Sequence, residues 1–214
     1  ALARVLDRLE EIARAQGSLK VVRIHSRMAV TLPSRLTPEL AGILGRKRDF
    51  RVHLVSHFNH PREWTPAARE GLAAFRAQGI TLLNQNVLLR GINDSTDCLA
   101  ELYQGLYEEG VLPFYLHHAD WTPGTFQFRT SIEQGRKLMA ELRGRIAGPA
   151  LPQYVLDIPQ GAGKISLCDA SVRKVHGVQA DSLGGAVYEL PEVTTRDTQK
   201  PAMSRRYLDL HPLS

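Results

Sequence analysis

The feature that most constrains this chain is an alternation. Short apolar runs read as strands at 19–27 (LKVVRIHSR), 50–58 (FRVHLVSHF), 80–91 (ITLLNQNVLLRG), 112–120 (LPFYLHHAD) and 152–159 (PQYVLDIP). Between them, at 37–47, 65–79, 95–110 and 130–148, lie stretches of helical length and periodicity. Two of these open on Thr37-Pro38 and Thr65-Pro66, a capping hydroxyl followed by proline in the first turn. Gly79 suits the end of the second, since glycine accepts the left-handed conformation that closes a helix. Strands separated each time by a helix run parallel and are joined by right-handed crossovers. Strands this apolar have both faces covered. The order predicts an α/β fold, a partial (β/α) barrel of parallel strands, with an open doubly wound sheet as the alternative. After Leu167 the pattern weakens into β-leaning pieces and turns. Residues 1–167 are therefore read as barrel, and 168–214 as a small C-terminal extension, partly extended and partly loose.

The first stretch, ALARVLDRLEEIARAQG, places Leu2, Val5, Leu6, Leu9 and Ile12 at helical spacing. Acids interrupt it early and no apolar core follows, so it is not a signal peptide. A chain that opens directly on such a helix is expected to lack what preceded it. Hydrophobic residues make up 43% and charged residues 23%, as in an ordinary globular protein. No apolar run approaches the roughly 20 residues of a membrane span. Cys98 and Cys168 stand far apart and in no metal spacing, which fits a reducing cytoplasm. The net charge of +5 is too small and too scattered to require nucleic acid, and it suits anionic ligands.

Barrel enzymes carry their chemistry where strands end and loops begin. The polar residues fall there: His25, then His57 and His60, then Asn84 and Gln85, then His117, His118 and Asp120, then Asp157 with Lys164 just beyond. Any one of them is more simply structural; as a set they gather at one end of the strands. Lys164 follows Gly-x-Gly, but a Walker phosphate loop is excluded, because Ile158 stands where its first glycine belongs and Ile165 follows the lysine. Two readings remain. Lys164 ends a loop in water, or it is an imine-forming nitrogen, which must be partly neutral near pH 7. Gly161 and Gly163 would let the backbone approach a flat cofactor ring.

Six segments taken together carry a resemblance: SHFNHP (56–61), NQNVLLRGIND (84–94), LHHAD (116–120), FRTSIEQG (128–135), ELRGRIAG (141–148) and VLDIPQGAGK (155–164). In order and spacing the chain resembles the C-terminal half of the lysine 2,3-aminomutase family, radical S-adenosylmethionine enzymes that also use pyridoxal phosphate. The resemblance covers about residues 1–167. It implies that Lys164 holds pyridoxal 5'-phosphate covalently. It implies that Asp120 and Asp157 grip the side-chain ammonium of substrate lysine, and that His57 and Gln85 line the cofactor pocket. The physics agrees, because two acids ending neighbouring strands roughly 5 Å apart repel unless a cation sits between them. The implied reaction is a radical 1,2-amino shift that turns L-lysine into β-lysine.

The family also implies S-adenosylmethionine and a 4Fe–4S cluster. The Cys-x3-Cys-x2-Cys that would hold the cluster is not in these residues. The expected partners are therefore the missing N-terminal part of the barrel, a small amino acid, and a second copy of the protein. Ser95 stands where some members place a zinc-binding cysteine, and no metal ligand is predicted in this chain. Two rivals belong to other classes. One is a barrel metal-dependent hydrolase using His25, His57, His60, His117 and Asp120 as ligands around a metal-bound water. The other is an interaction module working through SRRYLDLHP and surface arginines, although arginines at helical spacing such as Arg69 and Arg76 usually form a solvated face.

Overall fold

A computed structural model describes residues 1–158, 163–180, 183–190 and 206–212. The elements are α1 (Leu2–Gln16), β1 (Val21–His25), α2 (Met28–Thr31), α3 (Pro38–Gly45), β2 (Arg51–Ser56), α4 (Pro66–Ala77), β3 (Thr81–Val87), α5 (Thr96–Glu108), β4 (Val111–His117), α6 (Ile132–Arg143) and β5 (Gln153–Asp157). They continue with β6 (Lys164–Ser166), β7 (Arg173–Ala180), β8 (Leu183–Glu189) and β9 (Arg206–Pro212). Local chemistry sets the helix starts. Thr37, Thr65 and Ser131 accept hydrogen bonds through their hydroxyls from the backbone N–H of Leu40, Ala68 and Gln134. Each such cap contributes about 1 kcal/mol. Gly79, with φ of 72°, turns the chain out of α4 into β3.

The six-stranded sheet has the order β1-β2-β3-β4-β5-β6, the order of the chain itself. β1 pairs parallel with β2, β2 with β3, and β4 with β5. A doubly wound sheet would reverse direction at a switch point. This one does not, so the strands follow the singly wound order of a partial (β/α) barrel. One strand exceeds the sequence expectation: β6 returns antiparallel onto β5. It has only three residues, too few for a periodic pattern to reveal.

The chain forms two compact units. The first comprises residues 1–85 and 101–114, and the second 86–100 and 115–214. In the first, Leu54, Val55, Phe58, Leu72, Phe75 and Leu82 are buried. Trp64 meets Phe58 edge to face, with ring centroids 5.0 Å apart. In the second, Leu116, Ile132, Met139, Leu142, Tyr154, Val155 and Leu156 form the core. Its C-terminal strands make a separate antiparallel sheet, β7-β8-β9. Asp209 of β9 is fully buried and accepts from the backbone N–H of Ile132 at 2.8 Å, at the start of α6. Among the described residues no helix is long and apolar enough to cross a membrane.

Candidate active site

In the second unit, two strand registers bring the chemistry together. β4 and β5 pair Tyr115 with Gln153 and His117 with Val155. β5 and β6 pair Val155 with Ser166 and Asp157 with Lys164. Alternate residues of a strand share a face, so Tyr115 and His117 lie on one side of β4. Asp157 stands at the end of the next strand, and the hairpin sets Lys164 opposite it. The result is a connected cluster. Lys164 Nζ donates to Asp157 Oδ1. His117 Nδ1 lies 2.9 Å from Asp157 Oδ2. Lys164 Nζ also sits over the ring of Tyr115, 5.7 Å from its centroid, within the range of a cation–π contact.

The cluster is graded in exposure. Asp157 and Lys164 keep 37% and 36% of their side-chain surface open, whereas His117 keeps 13%. Burial holds the His117 imidazole below its ordinary value of 6.5, against the opposing pull of the Asp157 carboxylate and with the help of the Lys164 ammonium. A neutral imidazole carries one proton, and an ionised carboxylate can only accept. Nδ1–H therefore donates to Asp157, and Nε2 keeps its lone pair. That Nε2 is buried and has no hydrogen-bond partner among the described residues. Asp120 follows β4 in an exposed loop, and its charge reaches His117.

His57 and Gln85 belong to the first unit. Each comes one residue after the pair Ser56 and Asn84, the last register pair of β2 and β3, and both are half-buried. Asn84 fixes the turn beside His57. Its Oδ1 accepts from Phe58 N–H at 2.8 Å, and its Nδ2 donates to the Phe58 carbonyl at 3.2 Å. Gly163 has φ of 108°, a conformation that favours glycine; Gly161 lies outside the described residues.

The remaining strand-end residues divide by role. His60 caps a short 3-10 turn, where its Nδ1 accepts from Arg62 N–H at 3.1 Å. His25 is exposed at the end of β1. His118, the first residue after β4, joins a buried network instead of the cluster. Its Nδ1 lies 2.8 Å from the Tyr154 hydroxyl and its Nε2 3.0 Å from Asp209 Oδ1. Among the described residues no three His, Cys, Asp or Glu side chains group as metal ligands.

Sequence reading by itself placed Asp120 beside Asp157 and did not give His117 a role toward Asp157. A signal was available, since His117 ends the strand next to the one ended by Asp157. It became decisive only once the register was known.

A primary amine stands where an aldehyde cofactor could be held covalently. A half-exposed primary amine is held at one place by a carboxylate, and the buried His117 Nε2 has no hydrogen-bond partner among the described residues. Lys164 would hold such a group, and the neighbouring donors and acceptors would orient it.

No family model matches the chain. Individual curated proteins do. The chain is 36% identical over 196 residues to L-lysine 2,3-aminomutase of Fusobacterium nucleatum, a match covering 90% of this chain and 46% of that protein. It is 38% identical over 163 residues to L-lysine 2,3-aminomutase of Clostridium subterminale, covering 76% and 38%. It is 36% identical over 163 residues to glutamate 2,3-aminomutase of Clostridioides difficile, covering 76% and 37%. The chain thus spans less than half the length of these three relatives. Identity at this level runs across most of this chain, so the chain is homologous to a part, less than half, of these lysine and glutamate 2,3-aminomutases.

Proposed function

We propose that this chain supplies the pyridoxal phosphate and substrate-ammonium part of an aminomutase that converts L-lysine into β-lysine. The observation that carries the reading is the Asp157–Lys164 pair across the β5–β6 hairpin, with His117 on the second carboxylate oxygen. A primary amine and an acid fixed against each other at the carboxyl ends of parallel strands suit a covalently held aldehyde and a cationic side chain. When bound, pyridoxal phosphate supplies the conjugated system on which an amino group migrates.

The chain's own residues bind and orient. Lys164 provides the nitrogen that anchors the cofactor. Asp157 and Asp120 provide negative charge for a substrate ammonium. His117 fixes one oxygen of Asp157 and keeps that carboxylate aimed. His57 and Gln85 take the cofactor-facing roles that the resemblance implies. The radical requires S-adenosylmethionine and a 4Fe–4S cluster. This chain has no Cys-x3-Cys-x2-Cys to hold the cluster, so we assign it to a further part of a longer protein. The same reading makes 1–167 the barrel portion and 168–214 the extension, in a cytoplasmic homo-oligomer.

Overall identity does not separate lysine from glutamate as substrate, because relatives named for each match at 36%. The two acids favour lysine, since a glutamate side chain would meet like charge at Asp120 and Asp157. The test is reconstitution of the full-length protein with iron, sulfide, S-adenosylmethionine and pyridoxal phosphate. L-lysine is expected to yield β-lysine, and L-glutamate no product. Turnover of glutamate alone would overturn the substrate assignment. Lys164→Ala should abolish the visible absorbance of bound cofactor, and an unchanged spectrum would overturn the site.

A further inference from the structure

Asp120 is an acid whose place depends on a loop. It follows β4 and is exposed, and among the described residues no hydrogen bond or ion pair holds its carboxylate. Its position is therefore set through its backbone. One side chain grips that backbone on both sides. Arg129 Nη1 donates to the carbonyl of Ala119, and the same guanidinium lies over the Trp121 ring, 4.7 Å from its centroid. A planar guanidinium can bond at its edge and stack through its face at once. Its remaining donors go to β9: Nε to the Leu210 carbonyl at 2.9 Å, and Nη2 to the Tyr207 hydroxyl at 3.1 Å and to Asp209 Oδ1 at 3.2 Å. Arg129 is only 1% exposed. An apolar side chain of similar volume would fill such a place at no lower stability. What it could not do is tie the two flanks of Asp120 to a strand some 80 positions later.

We propose that Arg129 is a positioning residue: it joins the loop that carries Asp120 to β9, so that the C-terminal sheet holds the Asp120 carboxylate where a substrate ammonium meets it. The inference rests on the functional reading above and adds to it a role for the C-terminal extension in choosing the substrate. Arg129 acts through Ala119 and Trp121 and does not itself touch the ligand. Asp209 and Tyr207 act one step further back, by fixing the guanidinium.

The test uses the full-length protein loaded with pyridoxal phosphate. Binding of L-lysine and of L-norleucine, which has the same carbon chain and no side-chain ammonium, is titrated by the visible absorbance of the cofactor. The ratio of the two affinities reads recognition of the ammonium. Both come from one preparation, so a loss of folded protein does not move the ratio. Asp120→Asn is expected to lower the preference for lysine about threefold to fivefold, the share of one exposed ion pair. Arg129→Lys keeps the charge but loses the fork, and should lower the preference by a similar factor. The double variant should fall no further than Asp120→Asn alone, because both changes remove the same contact. Should Arg129→Lys fail to fold, Tyr207→Phe takes its place, since it keeps every charge and removes one anchor of the guanidinium; a fall of about twofold is expected. An unchanged ratio in the folded variant, or losses that simply multiply in its double variant with Asp120→Asn, would overturn this inference and leave the proposed function standing. A ratio unmoved by Asp120→Asn would overturn the substrate reading itself.

Discussion

Asp209→Ala is expected to be among the most costly single substitutions in the second unit. Asp209 is 1% exposed. Its Oδ1 accepts from His118 Nε2 at 3.0 Å and Arg129 Nη2 at 3.2 Å, and its Oδ2 accepts from Ile132 N–H at 2.8 Å. Arg129 is equally buried. Its other donors go to the carbonyls of Leu210 and Ala119 and to the Tyr207 hydroxyl. Removing Asp209 therefore leaves the guanidinium mostly hydrogen-bonded but with its charge unbalanced. Breaking a buried pair from one side costs about 3–5 kcal/mol. An orphaned backbone N–H alone costs about 1–3 kcal/mol. The two overlap, so the expected loss is about 4 kcal/mol, or roughly 8–16 °C in melting temperature for a chain of this size.

Trp121 gives the assay, because the Arg129 guanidinium lies over its ring at 4.7 Å. The chain has two tryptophans, so a Trp64→Phe background leaves Trp121 as the only one. Its fluorescence then follows unfolding in denaturant. The decisive comparison is a double-mutant cycle with Arg129→Met. If unbalanced charge causes the loss, the double variant is more stable than the sum of the single losses implies, by at least about 1 kcal/mol. A loss below about 1 kcal/mol for Asp209→Ala, or simple additivity in the cycle, would refute the reasoning.

Two further outcomes follow from other buried contacts. Asn84→Ala strips the buried Phe58 N–H and carbonyl of their side-chain partner, and should cost about 2–3 kcal/mol in denaturant unfolding of the first unit; a change under about 0.5 kcal/mol would sink it. His117, held below 6.5 by burial, gives the folded state fewer protons than the unfolded chain once pH drops under that value. Its contribution to stability is present above 6.5 and is lost as pH falls toward the lower folded value. His117→Asn should flatten that part of the stability–pH curve, measured by denaturant midpoints. An unchanged slope would show that His117 is not its source.

The local signals in the chain were sufficient for most of the fold. Thr65-Pro66 and Gly79 bracket α4 because a capping hydroxyl, a fixed proline φ and a left-handed glycine act within one or two turns of backbone. The apolar runs announce parallel strands because burial on both faces demands it. The short strand β6 escaped, since three residues after a glycine-rich segment carry no period.

The strand-end polar residues were visible as a group, but not their pairings. His117 and His118 are adjacent, yet one donates to Asp157 and the other contacts Asp209, 91 positions away. Likewise His60, read as a candidate ligand, spends its ring on a helix cap. The sequence by itself determined that strands and helices alternate, where helices begin, and that a lysine and several acids follow strand ends, because each of these is set by neighbours along the chain. Only the tertiary structure decided that Lys164 faces Asp157 and that Asp209 is buried against Arg129. Those contacts depend on strand register and long-range packing, which bring together residues that have no influence on one another along the chain.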